Sequence, residues 1–236
     1  AEGKGTAIKT LEGNDPEIKC LLENRAVGKA THVRLILTDI YGNVAAPVIR
    51  AVGVSKPKAA YATVTSTVPG LTYRYFEAPE KTEWTALPDF SKLTSVREGS
   101  VSEPDLSPRL RRTGYAFEFD GLIDIATTGI HEFTLVYASG AKLSIDGQVV
   151  VQGDGYHSIG KLSGAVPLAA GKHRFQLGYV QGPQQGQQAD DFLQVLWRTP
   201  GSDDKPSRIP VTAFSRKAAG EEPQIAITPT MTGNGD

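Results

Sequence analysis

The sequence predicts an all-β protein: an antiparallel β-sandwich preceded by a short β segment. Three observations predict it. Apolar residues recur with a period of two, as in Tyr115-Phe117-Phe119, Phe133-Leu135-Tyr137 and Phe175-Leu177-Tyr179, and such alternation marks half-buried strands of stacked sheets. Glycine and proline are frequent, 25 and 15 of 236 residues, and punctuate the alternating runs where turns belong. A helix signal appears in one place, "DFSKLTS" from Asp89, and it suffices for a single short turn.

The elements follow in chain order. In residues 1–60, Ile18–Leu22 is a strand candidate, and Val33, Leu35 and Leu37 alternate. The Asp39–Asn43 stretch turns the chain and Val48 to Val54 return it. Three or four strands are too few for a closed sandwich, so this unit reads as a partial module. A linker is expected at 61–69, inside the Ser55–Gly70 stretch, with an extended segment at "YATVTST" as the alternative. Strands are dense over 70–215. "GYAFEFDG" puts Tyr115, Phe117 and Phe119 on one face and Ala116, Glu118 and Asp120 on the other. "FLQVLWR" sets Phe192, Gln194 and Leu196 against Leu193, Val195 and Trp197, so both of its faces are covered. Asp146-Gly147 suits the two positive-φ positions of a type I′ turn, pairing Lys142–Ile145 with Gln148–Val151. Residues 216–236 read as an extended tail.

Composition bounds the function. Hydrophobic residues make up 39% and charged residues 22%, ordinary values for a packed core. The net charge of −1 leaves no basic excess to neutralise phosphates, so no nucleic-acid partner is expected. Arg109-Leu110-Arg111-Arg112 reads as a solvated face near Glu103 and Asp105. The single cysteine, Cys20, forms no intrachain disulfide and reads as a small buried hydrophobe. No run approaches the ~20 apolar residues of a membrane helix.

Enzyme signatures are missing. There is no His-Glu-x-x-His, no Gly-x-Ser-x-Gly and no Gly-Lys-Ser/Thr. "GDGYHS" has no βαβ context for a dinucleotide. His32, His131, His157 and His173 are scattered, which argues for no zinc cluster. Asp120 and Asp124 are weighed as an acid and base pair, and the solvated reading is preferred. No enzyme is expected.

A series of landmarks in one order carries a resemblance. They are "GLTYRYFE", "WTALPDFSKLTSVREGSV", "YAFEFDGLIDIATTGIHEFTLVYASGAKLSIDG", "DGYH", "GAVPLAAGKHRFQLGYVQ" and "LQVLWRTPG". From Gly70 onward the chain resembles the protective-antigen 14-kDa (PA-14) domain family, a lectin-like β-sandwich. The "TDIYGN" hairpin resembles the last two strands of bacterial immunoglobulin-like modules.

The first resemblance implies a site. In calcium-dependent members two consecutive aspartates precede the strand that here begins near Lys142, where this chain reads Ala138-Ser139-Gly140. Calcium favours six to eight oxygen ligands, carboxylates prominent among them, so the standard calcium arrangement lacks its carboxylates. A second ligand loop of those lectins matches Gln181–Asp191. Its Asp190 and Asp191 are the candidate metal ligands, taking over part of a cation site; the alternative is a pair of hydrophilic strand-entry residues. The candidate carbohydrate contacts are Ser139, Asp154, Tyr156, His157, Gln181, Gln184, Gln188 and Asp190, with His157 read first as a structural anchor of its loop. Sugar sites set aromatic faces against C–H patches and use a few polar groups to orient hydroxyls.

The function this implies is a non-catalytic carbohydrate-binding module of a secreted or envelope bacterial protein, with a polysaccharide or glycan as partner and no required cofactor. The alternative is a structural module that packs against neighbouring domains or a partner enzyme without binding sugar. A weaker third reading is an accessory domain shaping the active site of an adjacent hydrolase. The geometric question is whether 138–140, 154–157 and 181–191 meet in one concavity.

Overall fold

The structure of the chain, a computed structural model, describes residues 32–35, 41, 44, 48–51, 56–61, 66–80, 82–153, 159–182, 191–202 and 205–218, with backbone alone at 32–35 and 48–51. Ile18–Leu22, Cys20 and the tail beyond residue 218 lie outside these residues.

In the N-terminal unit, β1 (His32–Leu35) and β2 (Val48–Ala51) pair antiparallel, from His32 opposite Ala51 to Leu35 opposite Val48. This is the hairpin the Val33/Leu35 alternation predicts. The sandwich follows with β3 (Thr67–Pro69), β4 (Leu71–Glu77), β5 (Arg97–Val101), β6 (Tyr115–Ile125), β7 (Gly129–Tyr137), β8 (Gly140–Ile145) and β9 (Gln148–Gly153). It continues through β10 (Gly160–Leu168), β11 (Gly171–Gln181), β12 (Leu193–Arg198), β13 (Ser207–Arg208) and β14 (Phe214–Lys217). The smaller sheet runs β10-β7-β12-β13, and the larger runs β3-β14-β6-β11-β8-β9 with β4 on β6 and β5 outside β4. All strand pairs named here are antiparallel.

Alternation builds the core as predicted. Tyr115, Phe117, Phe119 and Ile123 of β6 and Phe175, Leu177 and Tyr179 of β11 are fully buried between the sheets. Phe133, Leu135 and Tyr137 of β7 meet them from the other side. Phe117 and Phe119 stack at 5.4 Å, and Tyr115 meets Phe117 edge-on at 5.8 Å. Burial of each such ring contributes about 2–3 kcal/mol. Leu193, Val195 and Trp197 of β12 face the same core, which resolves the ambiguous "FLQVLWR" run.

The outer face of the larger sheet is covered near one end. Phe76, Ala116 and Val180 pack under Trp84, Leu87, Phe90 and Leu93. Phe90–Lys92 forms the expected single turn, a 3-10 helix whose first residues are capped by the Asp89 carboxylate. Further along, charges pair across strands: Arg74 with Glu118, Arg174 with Asp120 at 2.9 Å, and Lys172 with Asp124 at 3.6 Å. Asp120 and Asp124 are therefore ion-pair partners on an exposed sheet face.

The structure refines the sequence expectations. The sandwich reaches beyond 70–215, because β3 pairs with β14 from Thr67 opposite Lys217 to Pro69 opposite Ser215. The linker at 61–69 thus ends in a strand. The Arg109–Arg112 run is exposed, as a solvated face should be, but its ion-pair partners are remote in sequence: Arg109 Nε lies 2.6 Å from Asp191 and Arg111 Nη2 lies 2.7 Å from Glu77. Trp197 is half-buried.

Candidate functional site

Strand register brings three loops to one end of the sandwich. The last residue of β7, Tyr137, lies opposite both Gly160, where β10 begins, and Leu193, where β12 begins. At the start of β8, Gly140 faces Val180 and Ala141 faces Gly153, the last residue of β9. The described flanks of 138–140, 154–158 and 183–190 are therefore neighbours.

The turn between β7 and β8 is tight. Ser139 has φ +62°, a left-handed conformation uncommon outside glycine. That turn aims its hydroxyl at the next loop, where Gly182 N donates to Ser139 Oγ at 3.3 Å. Ala138 N donates to Phe192 O at 2.9 Å. Both feet of the 183–190 stretch are thus tied to the Ala138-Ser139 turn. Trp84 closes on the same place: a Cβ built on Gly182 would lie 2.8 Å from Trp84 O.

A polar chain runs beneath. Tyr115 Oη donates to Asp191 Oδ2 at 2.6 Å, and Arg109 reaches the same oxygen from the 102–114 loop. Tyr179 Oη donates to Gln181 Oε1 at 2.6 Å. Gly114 N donates to Gln181 O at 2.9 Å. Burial pushes the Tyr115 phenol far above its ordinary value, and Tyr179 and the Asp191 carboxylate add to the push. The Tyr179 phenol is raised by burial first and by Asp191 second. Both therefore stay neutral and act as donors.

These contacts sort the expected residues. Ser139, Gln181 and Asp191 gather at one end, each engaged with the protein itself. Gln181 is 1% exposed, so its side chain faces inward. Asp154, Tyr156, His157, Gln184, Gln188 and Asp190 lie outside the described residues. Sequence reading missed Arg109, the Tyr115 hydroxyl and Trp84. Arg109 belongs to a basic run whose partner is remote in sequence, and Tyr115 reads first as a core aromatic.

The described residues do not compose a calcium set. Asp191 Oδ2 is held by a guanidinium and a phenol, and among the described residues no three His, Cys, Asp or Glu side chains converge. A buried His-Asp pair exists at the other end of the sandwich. There His173 Nδ1 lies 2.7 Å from Asp146 Oδ2 and Nε2 lies 2.9 Å from Ala169 O, so both ring nitrogens are engaged.

The PA14 domain model matches residues 68–207. The chain belongs to the PA14 domain family. No curated protein matches its sequence. Among solved structures, the PA14 fold here is similar to the Epithelial Adhesin 9 A domain from Candida glabrata in complex with Galb1-4GlcNAc, at 9% identity and TM-score 0.51, covering 69% of this chain and 95% of that one. The PA14 domain of the MpAFP antifreeze protein gives 16% identity and TM-score 0.48 over 74% of this chain and 100% of that one. An anti-sigma factor domain-containing protein from Clostridium clariflavum gives 20% identity and TM-score 0.48 over 72% of this chain and 57% of that one. The chain spans about half the length of such anti-sigma factor domain-containing proteins, 49% of another.

Proposed function

We propose that this PA14 domain is a non-catalytic carbohydrate-binding module of a secreted or envelope protein, with its glycan seat at the Ser139–Gly182–Asp191 end. One observation carries the reading: the strand ends that flank all three expected loops are neighbours, tied by the Ser139–Gly182 and Ala138–Phe192 hydrogen bonds. The fold it shares with a disaccharide-bound adhesin domain supports the same class of partner. Asp154, Tyr156, His157, Gln188 and Asp190 are assigned to the sugar, aromatic faces against C–H patches and polar groups on hydroxyls. Ser139, Gln181 and Asp191 are assigned to holding the frame.

Binding is proposed to be independent of calcium. Calcium needs six to eight oxygens, and at Asp191 it would have to displace Arg109. Asp190 is then a sugar contact rather than a metal ligand. A glycan array run with calcium and again with chelator tests both parts. Signals that survive chelation are expected. Signals lost on chelation would refute the calcium-free seat and return Asp190 and Asp191 to a cation.

A second reading has its own observation. Ser139, Gln181 and Asp191 all bond within the protein, as they would in a module that only packs against neighbouring domains of a longer protein. An array blank under both conditions selects that reading.

A further inference from the structure

Residues 56–61, "KPKAAY", have the composition of a linker, yet they are bonded to the sandwich. Lys58 N donates to Pro167 O at 3.0 Å and Ala169 N donates to Lys58 O at 2.9 Å, a parallel bridge between Lys58 and Leu168. Tyr61 N donates to Lys172 O at 2.9 Å. Lys58 Nζ donates to the Asp146 carbonyl at 3.4 Å. The segment therefore touches two turns, Asp146-Gly147 and Ala169–Gly171.

The receptor is shaped for it. Gly171 has φ +123°, and a Cβ there would lie 2.5 Å from the Ala60 Cβ. Only glycine lets the segment pass this close. Beneath it, the fully buried His173 joins the two turns through Asp146 and the Ala169 carbonyl. Asp146 Oδ1 also accepts from Arg174 N at 2.8 Å. The surface that receives the segment is thus cross-braced.

Its position matters. Gly171 pairs with Ile125 and Gln181 with Tyr115, so β11 runs from this surface to the Ser139–Gly182–Asp191 end. We propose that residues 56–61 are a docked strap on the turns at Asp146 and Ala169–Gly171. The strap fixes where the chain enters, and it holds that entry at the end of the sandwich opposite the candidate glycan seat. The inference stands whether or not the loops bind sugar.

Hydrogen exchange on the full chain tests it. The Lys58 and Tyr61 amides should exchange about 100-fold slower than an unstructured peptide. Tyr61→Pro removes one donor at an exposed residue and leaves the core intact. It should speed exchange at Lys58, and tryptic cleavage after Lys58, by about 10-fold with the melting temperature of the sandwich retained. Gly171→Ala, which pushes Ala60 away, should speed the same exchange and cleavage, with a lower melting temperature because φ +123° strains alanine. Free-peptide exchange at Lys58 and Tyr61 in the unmodified chain would overturn the proposal. So would unchanged Lys58 exchange in Tyr61→Pro, since the contacts would then not act as one strap.

Discussion

Asp146 has φ +51° and Gly147 φ +74°, the pair of left-handed residues that a type I′ turn requires. The sequence predicts that much. The carboxylate does more: it accepts from Arg174 N and faces Nδ1 of the buried His173. Asp146→Ala removes both partners and leaves a buried ring nitrogen unpaired, so the variant should lose about 2–3 kcal/mol, read from the urea midpoint. Asp146→Asn keeps the turn and one acceptor and should lose about 1 kcal/mol. His131 makes a pH prediction. Burial holds its imidazole below the ordinary 6.5, with the Gly129 carbonyl opposing. The unfolded chain then takes up the proton first, so His131 contributes stability above pH 6.5 that is lost as pH falls through the folded-state value. The urea midpoint of the unmodified protein should drop between pH 7.5 and 5.5 by more than that of His131→Gln; equal drops would refute this. Asp191 shows the limit of reading residues in isolation. Its type and loop suggest a metal ligand, whereas its partners, Arg109 and Tyr115, arrive from other parts of the chain.

At the scale of elements, β6 carries the most information. One of its edges is shared, with β4 pairing along Tyr115–Asp120 and β14 along Leu122 and Ile123. Gly121 sits at the changeover, where a Cβ would lie 2.6 Å from Leu71 Cδ2 and 2.8 Å from Ser215 O. A backbone oxygen cannot swing aside as a side chain can. Gly121→Ala should therefore cost about 1–3 kcal/mol in a denaturant titration; a neutral outcome would mean that β14 can shift without loss. The central strands were legible because each buries one face, and period-two patterning records that directly. The edges were not. Thr67–Pro69 and Lys58–Tyr61 join the sandwich through backbone groups, and backbone hydrogen bonds leave little trace in side-chain pattern. The partners of the basic run at Arg109–Arg112 were hidden for a related reason. The run is exposed as expected, but Arg109 pairs with Asp191 and Arg111 with Glu77, and only the fold brings them near.

At the scale of the whole molecule, the sandwich has two unlike ends. At one, the Asp146-Gly147 turn and the Ala169–Gly171 turn are joined through His173, and the 56–61 strap docks. At the other, the flanks of three loops meet over a polar chain from Arg109 through Asp191 to Tyr115. Long antiparallel strands such as β6 and β11, 11 residues each, separate them. Order of landmarks along the sequence was enough to place the family, because each landmark is a strand or turn of the same frame. The proposed glycan seat was expected only as a set of loops, since loops carry recognition in residues that the frame does not constrain. The central claim is that sugar is bound at the loop end. Amide chemical-shift mapping of the full chain, titrated with the strongest glycan from the array in chelator, tests it most directly. The predicted result is shifts at Ser139, Gly182, Asp191 and Trp84 with Lys58, Tyr61 and Ala169 unmoved. Shifts confined to the strap end, or no saturable shift at all, would contradict the account.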